Sequence, residues 1–319
     1  MEFHHATLLT PDNLFTSLSL TGGKKKFLDF YSQSFPKQRE CLADVVSKTL
    51  DFDRDIIQAI HKIPLEVFVP WDKRSLSYWN GVTWYRGLAG TTPPWLCAFA
   101  CYALGLRPGL KVLTIGFGYG YLETIMSEAM HNGSEVYSIE IDSELLRKGT
   151  EITREIGYNS FHLKLGDGLQ PYDGESRFDA IWPTLGTTEI PSVWVDQLKE
   201  RGKLAVFRPF SKEEFGRAKN VEWEGWAGKA SDYSEYMHKW WADLCLAIYE
   251  DEKGILIPVS QLYEMDNPPI YHSQYGTTEP KDWGKGMGKW YETYLLNVLR
   301  KAGVRPSDSG SDSSELRED

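Results

Sequence analysis

The chain has 319 residues with a net charge of −10, and 41% of its residues are hydrophobic. This composition is typical of a soluble globular protein with a sizeable core. The acidic balance argues against nucleic acid as a partner, because duplex or tRNA binding needs a basic surface. No apolar run reaches about 18 residues, so no membrane span is expected, and the first residues do not resemble a secretory signal. We therefore expect a cytoplasmic protein that acts on a peptide or a small molecule.

Residues 1–106 are predicted as a helical N-terminal segment on the substrate side of the protein. Apolar residues between 37 and 63 recur at helical spacing, which predicts two short helices. The stretch 77–87 is predicted as turns and irregular structure. Two prolines then begin a further helix over about 95–104, since proline suits a first helical turn.

The four cysteines are Cys41, Cys97, Cys101 and Cys245. Cys97 and Cys101 lie four residues apart in an apolar stretch without a nearby His or a second pair. They are therefore expected to be buried thiols rather than metal ligands, which suits a reducing cytoplasm.

Residues 107–210 are predicted to form the core, because strands and helices alternate there. Strands are predicted at 111–116, 135–140, 161–166, 178–183 and 203–209, and helices at 121–130, 143–156 and 193–198. This alternation indicates an α/β fold with a doubly wound, mostly parallel sheet.

Residues 211–302 are predicted as an aromatic-rich C-terminal extension. A helix over 233–249, a strand over 254–260 and an amphipathic helix over 285–302 are expected within it. Its tryptophans either pack on the sheet or cover the substrate; they include Trp223, Trp226, Trp240 and Trp241. The polar residues 303–319 are predicted as a disordered tail.

The sharpest motif is Gly116-Phe117-Gly118-Tyr119-Gly120, between a predicted strand and a predicted helix. Glycine lets the backbone approach a ligand closely and adopt positive φ, and the helix N-terminus beyond it favours negative or polar groups. The motif by itself also fits a plain strand–helix turn. An NAD-binding loop usually has the form GxGxxG, whereas here Tyr121 follows the last glycine.

Acidic residues follow the next two strands. Glu140 lies about 20 residues beyond the loop, where nucleoside-binding folds place an acid for the ribose hydroxyls. Asp142 is expected to cap the following helix. Asp167, which precedes Gly168, either accepts a hydrogen bond from an adenine amino group or is a turn residue. Together with the GxGxG loop, these acids favour S-adenosyl-L-methionine (SAM) over NAD.

Four segments, in matching order and spacing, resemble protein-L-isoaspartate O-methyltransferases. They are IPLEVFVP at 63–70, GTTPP at 90–94, VLTIGFGYGY at 112–121 and DAIWPTLGTTEIP at 179–191. The resemblance covers about residues 38–210. It implies a Rossmann-like class I SAM-dependent methyltransferase that transfers a methyl group to an aspartyl or isoaspartyl carboxylate of a peptide or protein.

The resemblance also implies roles for single residues. Thr92 stands where the family has its active-site Ser. The residues expected to hold SAM are Gly116, Phe117, Gly118, Gly120, Glu140, Asp167 and Gly168, and those expected to contact the substrate are Thr91, Thr92, Thr184 and Thr187.

The chain departs from the family pattern at several positions. Thr114 stands where the family has an acid, so a polar contact near the methionine part of SAM is missing or comes from elsewhere. Thr92 adds a methyl group to the pocket, and LGTT at 185–188 replaces a run of small residues. Together with the extension, these departures favour an enzyme dedicated to a ribosomal peptide, in which an aspartyl methyl ester cyclises to an aspartimide.

Three alternatives stay open. The first is general repair of isoaspartyl residues in proteins. The second is a non-catalytic scaffold with a SAM fold that binds a peptide, which Thr114 favours. The third is a nucleic-acid N-methyltransferase; Asn267-Pro268-Pro269-Ile270 resembles a motif of that class, but it follows the last core strand and lacks the aromatic residue.

Overall fold

The N-terminal part of the chain forms helices before the main sheet begins. The computed structural model describes residues 29–48, 52–78, 83–86, 89–131, 133–174, 177–186, 190–209, 244–252 and 255–263. Helices α1 (Phe35–Ser47) and α2 (Arg54–Lys62) precede two 3-10 helices at Leu65–Phe68 and Trp71–Leu76. The two predicted helices in 37–63 are therefore confirmed.

A small antiparallel hairpin follows, made of β1 (Thr83–Arg86) and β2 (Ala89–Thr91). The prediction of turns over 77–87 was wrong at β1, because strands of three and four residues show too few alternating positions to be recognised in a sequence. Helix α3 (Pro94–Leu104) comes next, with proline in its first turn. It ends at Gly105, whose φ of 63° is a left-handed conformation that glycine adopts easily.

A seven-stranded sheet forms the core. Its strands in chain order are β3 (Lys111–Ile115), β4 (Glu135–Glu140), β5 (His162–Leu165), β6 (Phe178–Pro183), β7 (Leu198–Pro209), β8 (Leu244–Glu252) and β9 (Ile255–Tyr263). Their spatial order is β5-β4-β3-β6-β7-β8-β9. The first five are parallel to each other. Strand β8 pairs antiparallel with β7, and β9 pairs antiparallel with β8.

Three helices connect the parallel strands: α4 (Tyr121–Met130), α5 (Ser143–Glu155) and α6 (Ser192–Asp196). The predicted doubly wound, mostly parallel α/β core is confirmed, and the bounds predicted for α4, β4 and β6 agree with the structure. None of the helices in the described ranges is long and apolar enough to cross a membrane.

The extension contributes to the same sheet. Strand β9 confirms the strand predicted at 254–260, but the helix predicted over 233–249 was wrong from Leu244 onward, because β8 begins there. The run LCLAIY is apolar throughout, so its periodicity does not distinguish a strand from a helix, and the edge of β7 gives it a partner. The predicted helix at 285–302, the tail at 303–319 and the four tryptophans named above lie outside the described residues.

The two faces of the sheet pack against different layers. On β3, Val112 belongs to the cluster that includes residues of α1 to α5, whereas Leu113 and Ile115 belong to the opposite cluster with Trp194 of α6. Because side chains alternate along a strand, Thr114 shares the face of Val112. It is a fully buried polar residue two positions before the glycine loop.

Candidate functional site

The glycine loop links the end of β3 to the start of α4. Gly116, Gly118 and Gly120 have φ values of 100°, 55° and 84°, a region that other residues rarely adopt. A Cβ on Gly116 would lie 2.2 Å from the Thr184 hydroxyl oxygen, and one on Gly120 would lie 2.6 Å from the Phe117 ring. The backbone conformation therefore favours glycine at all three positions, and close packing also requires it at Gly116 and Gly120.

The loop also packs closely against α5. The Phe117 ring is buried and approaches both Gly120 and Gly149, so any contact of this residue with a ligand comes from its backbone. A Cβ on Gly149 would lie 2.6 Å from the carbonyl oxygen of Gly118. The position of the loop thus depends on a glycine in the helix behind it.

Glu140 ends β4 and points its carboxylate at the loop. Oε2 accepts a hydrogen bond from the Gly118 N–H at 2.8 Å, and Oε1 accepts one from the Asp142 N–H at 3.0 Å. A carboxylate offers about four lone-pair sites, so Glu140 can still accept from two hydroxyl groups of a ligand. Asp142 caps α5 as predicted, since its Oδ1 accepts from the backbone N–H groups of Glu144 and Leu145.

Asp167 and Gly168 lie in the turn after β5, at the same edge of the sheet. Asp167 is exposed, and its Oδ1 accepts from the Leu169 N–H at 2.9 Å, so it has the turn geometry that was one of its two predicted roles. A Cβ on Gly168 would lie 2.2 Å from Cγ2 of Ile115, the residue before the loop. The Trp194 Nε1–H donates to the Gly168 carbonyl at 2.8 Å, which fixes this turn beside β3.

The four predicted substrate-side threonines have different surroundings. The Thr91 hydroxyl is buried in β2 and donates to the Thr83 carbonyl at 3.3 Å. The Thr184 hydroxyl donates to the Ile115 carbonyl at 2.9 Å, so it supports the start of the loop. Thr92 is half-buried, and its hydroxyl makes no hydrogen bond to another residue in the described part of the chain. Thr187 lies outside the described residues.

Tyr85 of β1 joins the hairpin to the glycine loop, a contact that the sequence did not reveal. Its ring stacks on the Tyr119 ring, with centroids 4.0 Å apart and an interplanar angle of 14°. Its hydroxyl hydrogen-bonds to the Thr91 side chain and to the backbone of Tyr119, and burial raises the pKa of this phenol. Thr92 directly follows Thr91, so it lies next in the chain to a residue that is linked to the loop through Tyr85.

Glu123, in the first turn of α4, is a second residue that the sequence did not single out. It is only 1% exposed, and its Oε1 accepts a hydrogen bond from the Thr114 hydroxyl at 2.6 Å. Burial raises the pKa of Glu123 to about 8. The available signal was a carboxyl in an otherwise apolar first turn directly after the loop.

Cys97 and Cys101 of α3 are free and buried, as predicted. The Cys97 thiol lies 3.6 Å from the Thr92 carbonyl oxygen, and burial raises its pKa well above the ordinary value. A thiol in this state is a packing group rather than a nucleophile.

Comparisons with known proteins point to one family. The family model of protein-L-isoaspartate(D-aspartate) O-methyltransferase matches residues 37–225. Protein-L-isoaspartate O-methyltransferase 2 of Archaeoglobus fulgidus is 31% identical over 172 residues, which are 54% of this chain and 78% of that protein. The protein-L-isoaspartate O-methyltransferase of Dictyoglomus thermophilum is 31% identical over 180 residues, 56% of this chain and 80% of that protein.

Solved structures agree on the fold. A protein-L-isoaspartate O-methyltransferase superimposes with a TM-score of 0.57 at 22% identity, covering 75% of this chain and 67% of that one. A protein described as a putative member from Plasmodium falciparum, in complex with S-adenosyl-L-homocysteine, gives a TM-score of 0.55 at 18% identity, covering 73% and 98%. The predicted Rossmann-like class I methyltransferase fold is confirmed.

Proposed function

The chain belongs to the protein-L-isoaspartate(D-aspartate) O-methyltransferase family and is a SAM-dependent carboxyl O-methyltransferase, and we propose that its substrate is the aspartyl-type carboxylate of a peptide or protein. An isoaspartyl residue is the first candidate, because the relatives carry that substrate in their names. The observation that carries the proposal is the half-buried hydroxyl of Thr92, which has no hydrogen bond to another described residue and directly follows the hairpin that packs on the loop.

The residues of the loop fit SAM. Three glycines keep side chains away from the edge where β3 and β4 end, and Glu140 retains acceptor sites for two ribose hydroxyls. Asp167 keeps its exposed carboxylate at the end of the neighbouring strand, and it would accept a hydrogen bond from the adenine amino group. When bound, SAM supplies an electrophilic methyl group on its sulfonium.

Thr92 is assigned the role of orienting the substrate. A carboxylate is ionised at neutral pH, so no general base is needed to activate it. What the protein has to supply is alignment of the attacking oxygen with the methyl–sulfur bond, since misplacement of reacting groups by about 1 Å can cost about a hundredfold in rate. A hydroxyl that donates to the second carboxylate oxygen provides this alignment.

Replacement of this hydroxyl tests the assignment. Thr92→Ala should lower kcat/KM for methyl transfer by about 10- to 100-fold while leaving the dissociation constant of SAM unchanged. Thr92→Ser is the matched control, because it keeps the hydroxyl and should keep most of the activity. Wild-type turnover by Thr92→Ala in a labelled-SAM assay would show that the hydroxyl does not orient the carboxylate.

A second candidate substrate is a dedicated ribosomal peptide. The matched 172 residues are 54% of this chain but 78% of the A. fulgidus protein, so this chain is the longer of the two. Strands β8 and β9 lie beyond the residues that the family model matches, which end at 225. In that case an aspartyl carboxylate is methylated, and the next backbone amide nitrogen displaces methanol from the ester to close an aspartimide.

One experiment separates the candidates. An isoaspartyl peptide and its aspartyl counterpart are incubated with methyl-labelled SAM, and base-labile methanol is measured. Label on the isoaspartyl peptide supports repair-type activity. No label on either peptide, with SAM binding intact, contradicts general repair and favours a dedicated peptide.

A further inference from the structure

We propose that Glu123 binds the positively charged methionine end of SAM, from a position beneath the glycine loop. The inference rests on SAM as the methyl donor but is independent of which peptide is methylated. It adds a cofactor-binding residue on α4 to those at the strand ends.

The position of Glu123 carries the first step. It lies three residues after Gly120, and its carboxyl is hydrogen-bonded at 2.6 Å to Thr114, two residues before Gly116. The residue therefore bridges the strand that enters the loop and the helix that leaves it. The charge of a carboxylate at this buried position acts on any ligand that the loop holds, because the protein interior screens charge weakly.

A chain of hydrogen-bonded side chains leads from this carboxyl toward β4, the strand of Glu140. The Thr114 hydroxyl also pairs with the Ser138 hydroxyl at 2.7 Å, on the neighbouring strand and in register with it. Ser138 and Glu140 are two residues apart on β4 and so lie on the same face. The hydrogen-bonded side chains of Glu123, Thr114 and Ser138 thus end two residues before Glu140, whose carboxylate contacts the loop.

The charge balance carries the second step. Glu123 and Glu140 are both buried, and neither has a salt bridge to Lys, Arg or His within the described residues. Among the residues that the structure describes, the titratable groups that face Glu123 are Glu140 of β4, Cys97 of α3 and Tyr85 of β1, none of which is a cation. Burying a carboxylate without a counter-charge is costly, and SAM offers a sulfonium and an ammonium.

The sequence fits this arrangement. Residue 114 is a threonine where the family resemblance leads one to expect an acid, and an acid stands instead at position 123, one hydrogen bond away. The hydrogen-bonded pair of Thr114 and Glu123 thus contains one carboxyl group, as the family pattern does at this place. The acidic side chain is on the helix instead of the strand.

Isothermal titration of the full chain with SAM, without peptide, tests the proposal. Glu123→Gln removes the charge but keeps an oxygen that can accept from Thr114, and it should weaken SAM binding by about tenfold or more. S-adenosyl-L-homocysteine retains the ammonium and lacks the sulfonium. An equal loss for both ligands assigns Glu123 to the ammonium, and a loss for SAM alone assigns it to the sulfonium.

Two further variants complete the experiment. Glu128→Gln is the matched control on the same helix: it removes a carboxylate that pairs with Lys62 at 2.8 Å and should leave SAM affinity unchanged. The exchange Thr114→Asp with Glu123→Thr moves the carboxylate back to β3 and should bring SAM affinity to within about threefold of wild type. Unchanged affinity in Glu123→Gln overturns the proposal; if that variant does not fold, a folded double variant without SAM binding overturns it equally.

Discussion

The ligand-free protein should become more stable when Glu123 is replaced by Gln, and the gain should grow with pH. The pKa of Glu123 is about 8 in the folded chain because of burial, against an ordinary value of 4.5 that applies when the chain is unfolded. Between these two values the folded state keeps a proton that the unfolded state releases. The contribution of Glu123 to the free energy of unfolding therefore becomes less favourable as the pH rises. Its raised pKa destabilises the folded wild type progressively from about pH 4.5 to about pH 8.

The magnitude follows from the two pKa values. Each pH unit between them corresponds to about 1.4 kcal/mol, so the penalty is about 3 kcal/mol at pH 7 and about 5 kcal/mol above pH 8. Glu123 is 1% exposed, so solvent screening does not reduce these figures substantially. Glutamine has nearly the same shape and does not titrate. The free energy of unfolding of the variant therefore lacks the pH dependence that Glu123 gives to the wild type.

The assay is urea unfolding of wild type and Glu123→Gln without SAM, at several values between about pH 5 and about pH 8.5. The difference between the two free energies of unfolding cancels every other titrating group that both proteins share. It should rise with pH in favour of the variant and level off near pH 8. If this difference does not change with pH, or favours the wild type as the pH rises, then Glu123 is not a buried carboxyl that lacks a neighbouring cation.

Other residues around the loop give predictions with paired controls. Glu140→Gln should weaken SAM binding by about tenfold or more, whereas Asp142→Ala should cost about 1 kcal/mol of stability through its lost cap and leave SAM affinity near wild type; equal SAM affinities in the two variants would contradict the division of roles. Gly149→Ala should favour helix α5 by about 1 kcal/mol on propensity alone, yet weaken SAM binding, because its Cβ would lie 2.6 Å from the Gly118 carbonyl oxygen. Calorimetry that finds wild-type SAM affinity in Gly149→Ala would show that the loop does not depend on this contact.

The core of the fold was predictable because its signals agree with each other. Between 107 and 210, apolar strands alternate with helices of clear period, and Gly or an acid marks most of the junctions. The positive φ values of the loop glycines and the cap formed by Asp142 are local properties, fixed within a few residues of sequence. Elements of this kind need little tertiary context to be recognised.

The parts that were missed depend on contacts between distant segments. Strand β8 is a strand because β7 offers it an edge, and its apolar run alone fits a helix equally well. The hairpin gains its role from the stacking of Tyr85 on Tyr119, residues 34 apart in the chain. Glu123 becomes notable only when Thr114 is seen beside it inside the protein. Sequence periodicity carries no information about such pairs.

The site separates charged from neutral polar groups according to what each side has to bind. Two carboxyls, Glu123 and Glu140, lie beneath and beside the loop, where a cationic methyl donor offsets their charge. The hairpin side presents the uncharged hydroxyl of Thr92 instead. An acid at that position would repel the carboxylate that has to approach the methyl group, and a cation there would compete for the two buried acids. A neutral donor avoids both effects, so the hydroxyl at position 92 and the acids at the loop are parts of one electrostatic arrangement.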